Sequence, residues 1–219
     1  MARVKDRERA TKLRMQGLSY SAISQELGIN KSTLSGWLSR YPLSESRIRE
    51  LRGSSPQRIE RFRNTMFKKR NVRLERVYKS VVNDFKKKRF AHDLYAGFFL
   101  YWGEGTKAAR YTTALTNSDP NMIRFFIQWL SMLGVKKKDL RLKLHLYADM
   151  DIKTAHLFWM RVLDVPKSSF NKAYVKNSLH ADKTYKGLFG HGTCSVSYHD
   201  RDIHEYIMAA LAYIRTRDI

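Results

Sequence analysis

The hydrophobic pattern of residues 5–40 predicts three short helices. The first segment, KDRERATKLRMQG, ends at a glycine, and so does the second, SYSAISQELG, in which two aliphatic residues stand four apart. The third, NKSTLSGWLSR, begins with Asn30, a residue common at helix N-caps, and places Leu34, Trp37 and Leu38 on one face. Because only two residues separate the last two helices, we expect them to cross sharply, with the polar side of the third helix facing outward.

Residues 41–92 follow a different pattern. Turn signals occur at Pro42 and from Gly53 to Pro56, and neither proline nor glycine occurs from Gln57 to Phe90. Apolar residues recur at mostly helical spacing among many arginines and lysines. The pattern predicts a basic helical linker of one long helix or two. It leaves open whether this linker is a solvated connector or an arm that lies along a phosphate backbone.

Residues 93–219 alternate helical and strand patterns, as one α/β domain would. The predicted order is helix, strand, helix, strand, helix, strand, strand, helix. Apolar and polar residues alternate within the strands, which is typical of a sheet covered on one face. Asp119 and Asp151 stand where helix N-caps are expected. The open face of this sheet is predicted to be polar and basic, with Arg110, Arg141 and Lys143, and is therefore suited to lie on a nucleic acid.

Charge indicates the class of partner. The chain of 219 residues carries 42 Lys and Arg against 20 Asp and Glu, a net charge of +22, and most of this excess lies in residues 1–92. Such a charge predicts a polyanionic partner. Nucleic acid fits better than anionic lipid, because the basic residues are spread along helical patterns and are not gathered in one short anchor.

Other global features predict a cytoplasmic, nucleoid-associated protein. No apolar run approaches the roughly 18 residues of a membrane span, so we expect no membrane partner. The charged N-terminus lacks the apolar segment of a signal peptide. The single cysteine, Cys194, cannot form an internal disulfide and is predicted to be a buried thiol.

The segment YSAISQELGINKSTLSGWL resembles the helix-turn-helix of resolvase and homeodomain-like proteins. In that family the last helix enters the major groove of DNA. The resemblance implies a DNA-binding domain over residues 1–40. A small three-helix packing module without a DNA role is the alternative. The residues that the resemblance places on the DNA are Lys31, Ser32, Thr33, Ser35 and Arg40.

The stretch LYAGFFLYWGEGTK ends an apolar, glycine-containing helix on a carboxylate, Glu104. Together with TNSDP, LHLYADMD and GTCSV, it resembles a group of microbial proteins that join a helix-turn-helix to one LAGLIDADG homing-endonuclease-like domain. The resemblance spans about residues 93–215. It implies an α+β chain in which a helix-turn-helix (1–40) and a basic helical linker (41–92) precede a LAGLIDADG-like domain (93–219). That domain would be an antiparallel sheet saddle with packed helices.

The resemblance also implies a role for Glu104. In the family, two such helices pack side by side, each ending on an acidic residue, and the paired carboxylates hold divalent metal over the scissile phosphates. Glu104 would then be catalytic and, with Gly105, would ligate Mg²⁺. One copy of the motif implies a homodimer through this helix. The predicted dimer residues are Ala96, Gly97, Leu100 and Gly103, and the DNA contacts predicted for this domain are Lys107, Arg110, Arg141 and Lys143.

Two functions follow from these patterns. One is a Mg²⁺-dependent endonuclease that binds double-stranded DNA at a specific sequence as a homodimer. The alternative is a transcription regulator that keeps the fold and binds DNA without cutting. The presence of Glu104 favours the endonuclease, whereas Phe99 and Trp102, at the positions of the family's interface glycine and second acidic residue, favour binding alone. An RNA-binding protein is a distant third, since a major-groove module suits RNA poorly.

Overall fold

The computed structural model describes residues 2–87, 92–177 and 190–216. The chain has mixed helical and sheet structure and divides into two compact units, Met1–Glu75 and Arg76–Ile219. We call them the N-terminal unit and the C-terminal unit. The predicted α+β class is confirmed.

The N-terminal unit is helical. Its helices are α1 (Ala2–Met15), α2 (Tyr20–Leu27), α3 (Lys31–Leu38), α4 (Glu45–Glu50) and the first part of α5 (Ser54–Lys86). The three helices predicted for residues 5–40 are confirmed as α1, α2 and α3. Their small core consists of buried Ala10, Tyr20, Ile23, Leu34 and Leu38.

Local signals in the sequence set the helix-turn-helix geometry. The Ser19 hydroxyl accepts a hydrogen bond from the Ala22 N–H and so caps the start of α2. Gly28 ends α2 in the left-handed conformation, with φ of 66°, which is a conformation that glycine adopts without steric cost. The chain can therefore reverse within three residues before α3 begins.

The domain boundaries differ from those predicted at residues 40 and 92. Residues 41–75 belong to the N-terminal unit, where Leu43, Ile48 and Glu60 are buried. The last turns of α5 belong to the C-terminal unit, where Val81 and Phe85 join its core. The predicted linker is thus mostly one helix of 33 residues that contributes to both units. Its few inward-facing residues were hidden in the sequence among many exposed arginines and lysines.

The C-terminal unit follows the predicted order of elements. After the end of α5 come α6 (His92–Glu104), β1 (Thr112–Asn117), α7 (Pro120–Met132), β2 (Arg141–Tyr147), α8 (Ile152–Leu163), β3 (Tyr174–Lys176), β4 (Thr193–His199) and α9 (Arg201–Thr216). Short 3₁₀ helices span Lys137–Asp139 and Lys167–Ser169. The predicted N-caps are confirmed, because the Asp119 and Asp151 carboxylates accept hydrogen bonds from backbone N–H groups at the starts of α7 and α8.

The sheet is mixed, with strand order β1-β4-β2-β3. Strand β4 pairs antiparallel with β1 and with β2, but β3 pairs parallel with β2. The prediction of a purely antiparallel sheet was therefore wrong. Helix α8 lies between β2 and β3 in the chain, and a crossover of this kind returns the chain in the same direction.

One face of the sheet carries the core. Side chains that alternate along the strands, including Leu115, Leu142, Leu144 and Val196, are buried among residues from α6, α7, α8 and α9. Aromatic rings dominate the centre, where Trp129 stacks with Tyr101 and meets Phe98 edge to face. The described helices of this unit pack on that face, and side chains of the opposite face include exposed Thr116, Arg141 and Lys143, as the alternating pattern predicted.

Candidate nucleic-acid interface

Helix α3 turns its polar face outward. Leu34 and Leu38 are fully buried beneath it. The residues predicted to touch DNA lie on the other side: Lys31, Ser32, Thr33 and Arg40 are exposed and Ser35 is half-buried. The first turns of α3 thus present an ammonium group and hydroxyl groups to solvent, which are the groups that can donate hydrogen bonds to base edges and phosphates.

Helix α5 holds α2 and α3 in place. Arg63 of α5 donates a hydrogen bond of 3.2 Å to the Lys31 carbonyl at the start of α3. Its guanidinium also lies over the Tyr20 ring of α2, 4.4 Å from the centroid. The sequence pattern predicted only a linker here. Arg63 could not be singled out, because it is one of many arginines and lysines in this segment.

A buried ion pair makes the second link between α5 and the first helices. Arg14 and Glu60 form two hydrogen bonds, of 3.0 and 2.7 Å, and their side chains are 1% and 0% exposed. Glu60 also accepts a bond of 2.8 Å from the Tyr20 N–H, and Arg14 donates to the carbonyls of Leu18 and Tyr41. These hydrogen bonds join α1 and the start of α2 to α5. The ion pair therefore helps to set the position of α1 and α2 relative to α5.

The open face of the sheet is polar and contains no carboxylate from its strands. No Asp or Glu occurs in any of the four strands that the structure describes. Arg141 and Lys143 of β2 are exposed on this face, as predicted, and hydroxyl groups line its other half. On this face the hydroxyl residues of β1 and β4 are Thr112, Thr116, Thr193, Ser195 and Ser197. A surface of this composition is electrostatically complementary to phosphate.

The other predicted basic contacts lie outside the strands. Arg110 is exposed beside the start of β1, with its guanidinium 5.1 Å from the Tyr111 ring centroid. Lys107 donates to the Trp102 carbonyl at 2.8 Å, so its ammonium group caps the C-terminal end of α6. Lys107 is still exposed, but it has a structural role that the sequence did not indicate.

Glu104 lies on the surface at the end of α6. Its side chain is exposed, and its carboxylate has no hydrogen bond or ion pair within the described ranges. The apolar stretch before Glu104 suggested a buried carboxylate, which would be costly without a partner. Because its side chain is exposed, Glu104 does not carry that cost. No group of three potential metal-ligating side chains occurs in the part of the chain that the structure describes. Glu104 is therefore not part of a three-ligand cluster within the described ranges.

Two glycines of this segment are required by packing within the unit. A Cβ at Gly105 would lie 2.2 Å from the Tyr101 ring, and the Gly105 backbone bridges to Leu115. A Cβ at Gly97 would lie 1.9 Å from the Trp129 ring. Gly105 is thus buried where a metal ligand was predicted, and Gly97 faces the core and not a second copy of α6.

The remaining predicted dimer residues lie on the outer side of α6. Ala96 and Gly103 are exposed, Leu100 is half-buried, and Phe99 between them is 51% exposed. A Cβ at Gly103 would meet nothing within 4 Å. The outer side of α6 is thus open at Gly103, and the homodimer through this helix stays a prediction.

No helix in the described ranges is both long enough and apolar enough to cross a membrane. Among curated proteins and solved structures, no match to the chain was found. The LAGLIDADG resemblance consequently rests on the sequence motifs alone. Residues 1–48 match the family model of the homeodomain-like domain, and a helix-turn-helix of this family suggests DNA binding.

Proposed function

We propose that this protein binds double-stranded DNA at specific sequences and reads the bases through α3. The observation that carries the proposal is the outward polar face of α3, within a segment that matches a homeodomain-like domain. In proteins of this architecture the second helix of the helix-turn-helix pair enters the major groove with its first turns against the bases. Lys31, Ser32, Thr33 and Ser35 occupy those turns.

A second contact is proposed for the open sheet face. Arg141 and Lys143 are exposed there, and the described strands carry no acidic side chain that would repel phosphate. Phosphate contacts add affinity without sequence preference and make binding depend on salt. On this proposal the α3 helix supplies specificity, while the sheet face and the basic side chains of α5 add affinity.

Selection from a randomised duplex library would test this function directly. We expect recovery of a preferred site, which Lys31→Ala and Ser35→Ala then relax at a few adjacent base pairs by roughly 1–3 kcal/mol for each good hydrogen bond to a base that is removed. Lys153→Ala is the matched control, since it removes an exposed lysine from α8, on the covered side of the sheet. An equal weakening over all sequences would mark the α3 residues as phosphate contacts, and no weakening would remove α3 from the interface.

Cleavage of the bound DNA is a second candidate function, favoured by the position of Glu104. Its exposed carboxylate has no partner among the described residues and ends a helix whose outer side is accessible, so it could meet its counterpart from a second copy. No cluster of three potential ligands forms among the described residues of one chain, so on this candidate the second carboxylate comes from the homodimer that the LAGLIDADG resemblance implies. The regulator that binds without cutting requires neither the dimer nor the metal.

Two measurements separate cutting from binding alone. Incubation of the selected duplex with Mg²⁺ or Mn²⁺, against Ca²⁺ as control, shows whether the wild type nicks DNA. Light scattering of the wild type and of Gly103→Leu shows whether the protein is a dimer through α6, because a leucine would block close helix approach there. A monomer that does not cut would leave DNA binding as the function and exclude the paired-carboxylate enzyme.

A further inference from the structure

A cluster of aromatic and basic side chains stands at one edge of the open sheet face. We call it the β2–β3 platform and define it by Lys143, His145, Tyr147, Tyr174 and Lys176. Strand β3 is the edge strand, and its parallel register places His145 opposite Tyr174 and Tyr147 opposite Lys176. The platform residues of β2 point to the open face, because they alternate with buried Leu142, Leu144 and Leu146, and their direct partners on β3 share that face.

The aromatic rings of the platform are accessible from solvent. Tyr174 is 51% exposed, and its ring centroid lies 5.9 Å from that of His145. Tyr147 is half-buried at the diagonal position. The two tyrosines are therefore diagonal neighbours on the same face, one on each strand.

Ammonium groups lie over the faces of both rings. The Lys143 Nζ is 5.8 Å from the Tyr174 centroid, and the Lys176 Nζ is 5.6 Å from the Tyr147 centroid. These distances are close to the outer limit of a cation–π contact. An exposed lysine at this distance can move to a phosphate at little cost, and the exposed Tyr174 ring then offers to a planar ligand the face that Lys143 leaves.

Burial and the two nearby lysines lower the pKa of His145 below its ordinary value. The imidazole of the platform is therefore mostly neutral near neutral pH. A neutral ring adds a third flat surface without adding to the repulsion between the lysines.

We propose that the β2–β3 platform binds single-stranded nucleic acid, with bases stacked on Tyr174 and Tyr147 and phosphates held by Lys143 and Lys176. Proteins that bind single strands combine a positively charged surface with aromatic rings on which bases stack. Duplex DNA would use only the lysines, because its bases are already stacked on one another. This inference goes beyond duplex recognition by α3 and does not depend on it.

The test uses the full-length protein and fluorescently labelled oligo(dT) and oligo(rU) of about 12 nucleotides. We expect binding of these single strands, weakened by Tyr174→Leu roughly 5- to 150-fold and retained by Tyr174→Phe. Leucine keeps much of the side-chain volume but has no aromatic face, so the pair isolates stacking from folding. Phe62→Leu is the control, since it removes an exposed aromatic ring from α5, outside the platform.

A duplex of random sequence, measured in parallel, distinguishes this proposal from the function proposed above. Weaker single-strand binding by Tyr174→Leu with unchanged duplex affinity supports the platform. Equal weakening for both ligands would make the sheet edge a duplex contact and overturn it. So would unchanged single-strand binding in Tyr174→Leu. If Lys31→Ala did not affect duplex binding, the proposed role of α3 would be wrong. The proposed single-strand site on the platform would not be affected by that result.

Discussion

Replacing Glu60 by alanine tests whether α5 belongs to the DNA-binding domain. Glu60 accepts three hydrogen bonds, two from Arg14 and one from the Tyr20 N–H, and its side chain is completely buried. Its removal leaves the Arg14 guanidinium buried with the carbonyls of Leu18 and Tyr41 as its described hydrogen-bond acceptors and the Tyr20 ring beneath it. The change also deprives the N-terminal end of α2 of an acceptor.

The expected cost follows from this geometry. Breaking a buried ion pair by removing one partner destabilises a protein by about 3–5 kcal/mol, because the other charge stays buried without compensation. Domains are stable by only about 5–15 kcal/mol. We therefore expect Glu60→Ala to bring the N-terminal unit close to unfolding and to weaken duplex binding, although Glu60 itself touches no DNA in the proposed interface.

An exposed ion pair between α4 and α5 provides the control. Arg61 of α5 pairs with Glu45 of α4 at 2.9 Å, but these side chains are 48% and 52% exposed. Exposed ion pairs contribute about 0–1 kcal/mol, so Glu45→Ala should have almost no effect. Both variants remove a glutamate that pairs with an arginine, but only Glu60 is buried and also accepts a backbone N–H.

Hydrogen exchange measured by mass spectrometry is the appropriate assay, because it reports on each unit separately. In Glu60→Ala, peptides from α1 to α3 should exchange faster by roughly two to nearly four powers of ten, while peptides from the sheet should not change. A decrease in stability below about 1 kcal/mol, equal to that of the exposed pair, would refute the reasoning. It would mean that α5 is not needed to hold the helix-turn-helix.

Further predictions concern the C-terminal unit. Gly97→Ala should destabilise it by about 1–3 kcal/mol through overlap with Trp129, whereas Gly103→Ala should be neutral or stabilising; equal urea midpoints for the two variants would contradict the packing argument. Glu104→Gln should leave thermal stability unchanged, because the carboxylate has no described partner; a clearly lower Tm would show a structural role, and loss of Mg²⁺-dependent nicking would show a catalytic one. Burial lowers the pKa of His204, so its stabilising contribution is full above its ordinary pKa of about 6.5 and falls as the pH drops below that value. Thermal melts at about pH 7.5 and about pH 5.5 should show less acid destabilisation in His204→Gln than in the wild type; equal acid sensitivity would contradict this assignment.

Much of the local structure could be predicted from the sequence. Helices α1 to α3 follow from their apolar spacing, from the glycines that end α1 and α2, and from Asn30 before α3, since these signals act within a few residues. The order of elements after residue 93, the N-caps at Asp119 and Asp151, and the open sheet face follow in the same way. The exposed face of α3 was predictable because Leu34, Trp37 and Leu38 share one side of that helix, which leaves the polar side facing outward.

Only the tertiary structure decided the contacts between distant residues. Arg14 and Glu60 are 46 positions apart and carry no periodic signal, so the inclusion of α5 in the N-terminal unit was invisible in a run of basic residues. Gly97 looked like an interface glycine until Trp129, from another helix, was found to fill the space beside it.

The parallel pairing of β3 was also undetermined by sequence, because alternation along a strand specifies its faces and not its neighbour or direction. The β2–β3 platform exists only as a result of that pairing. Strand register brings Tyr174 beside His145 and Lys176 beside Tyr147. The sequence determined which residues are apolar, basic or aromatic. The fold decided which of them meet, because burial and register are properties of the whole unit.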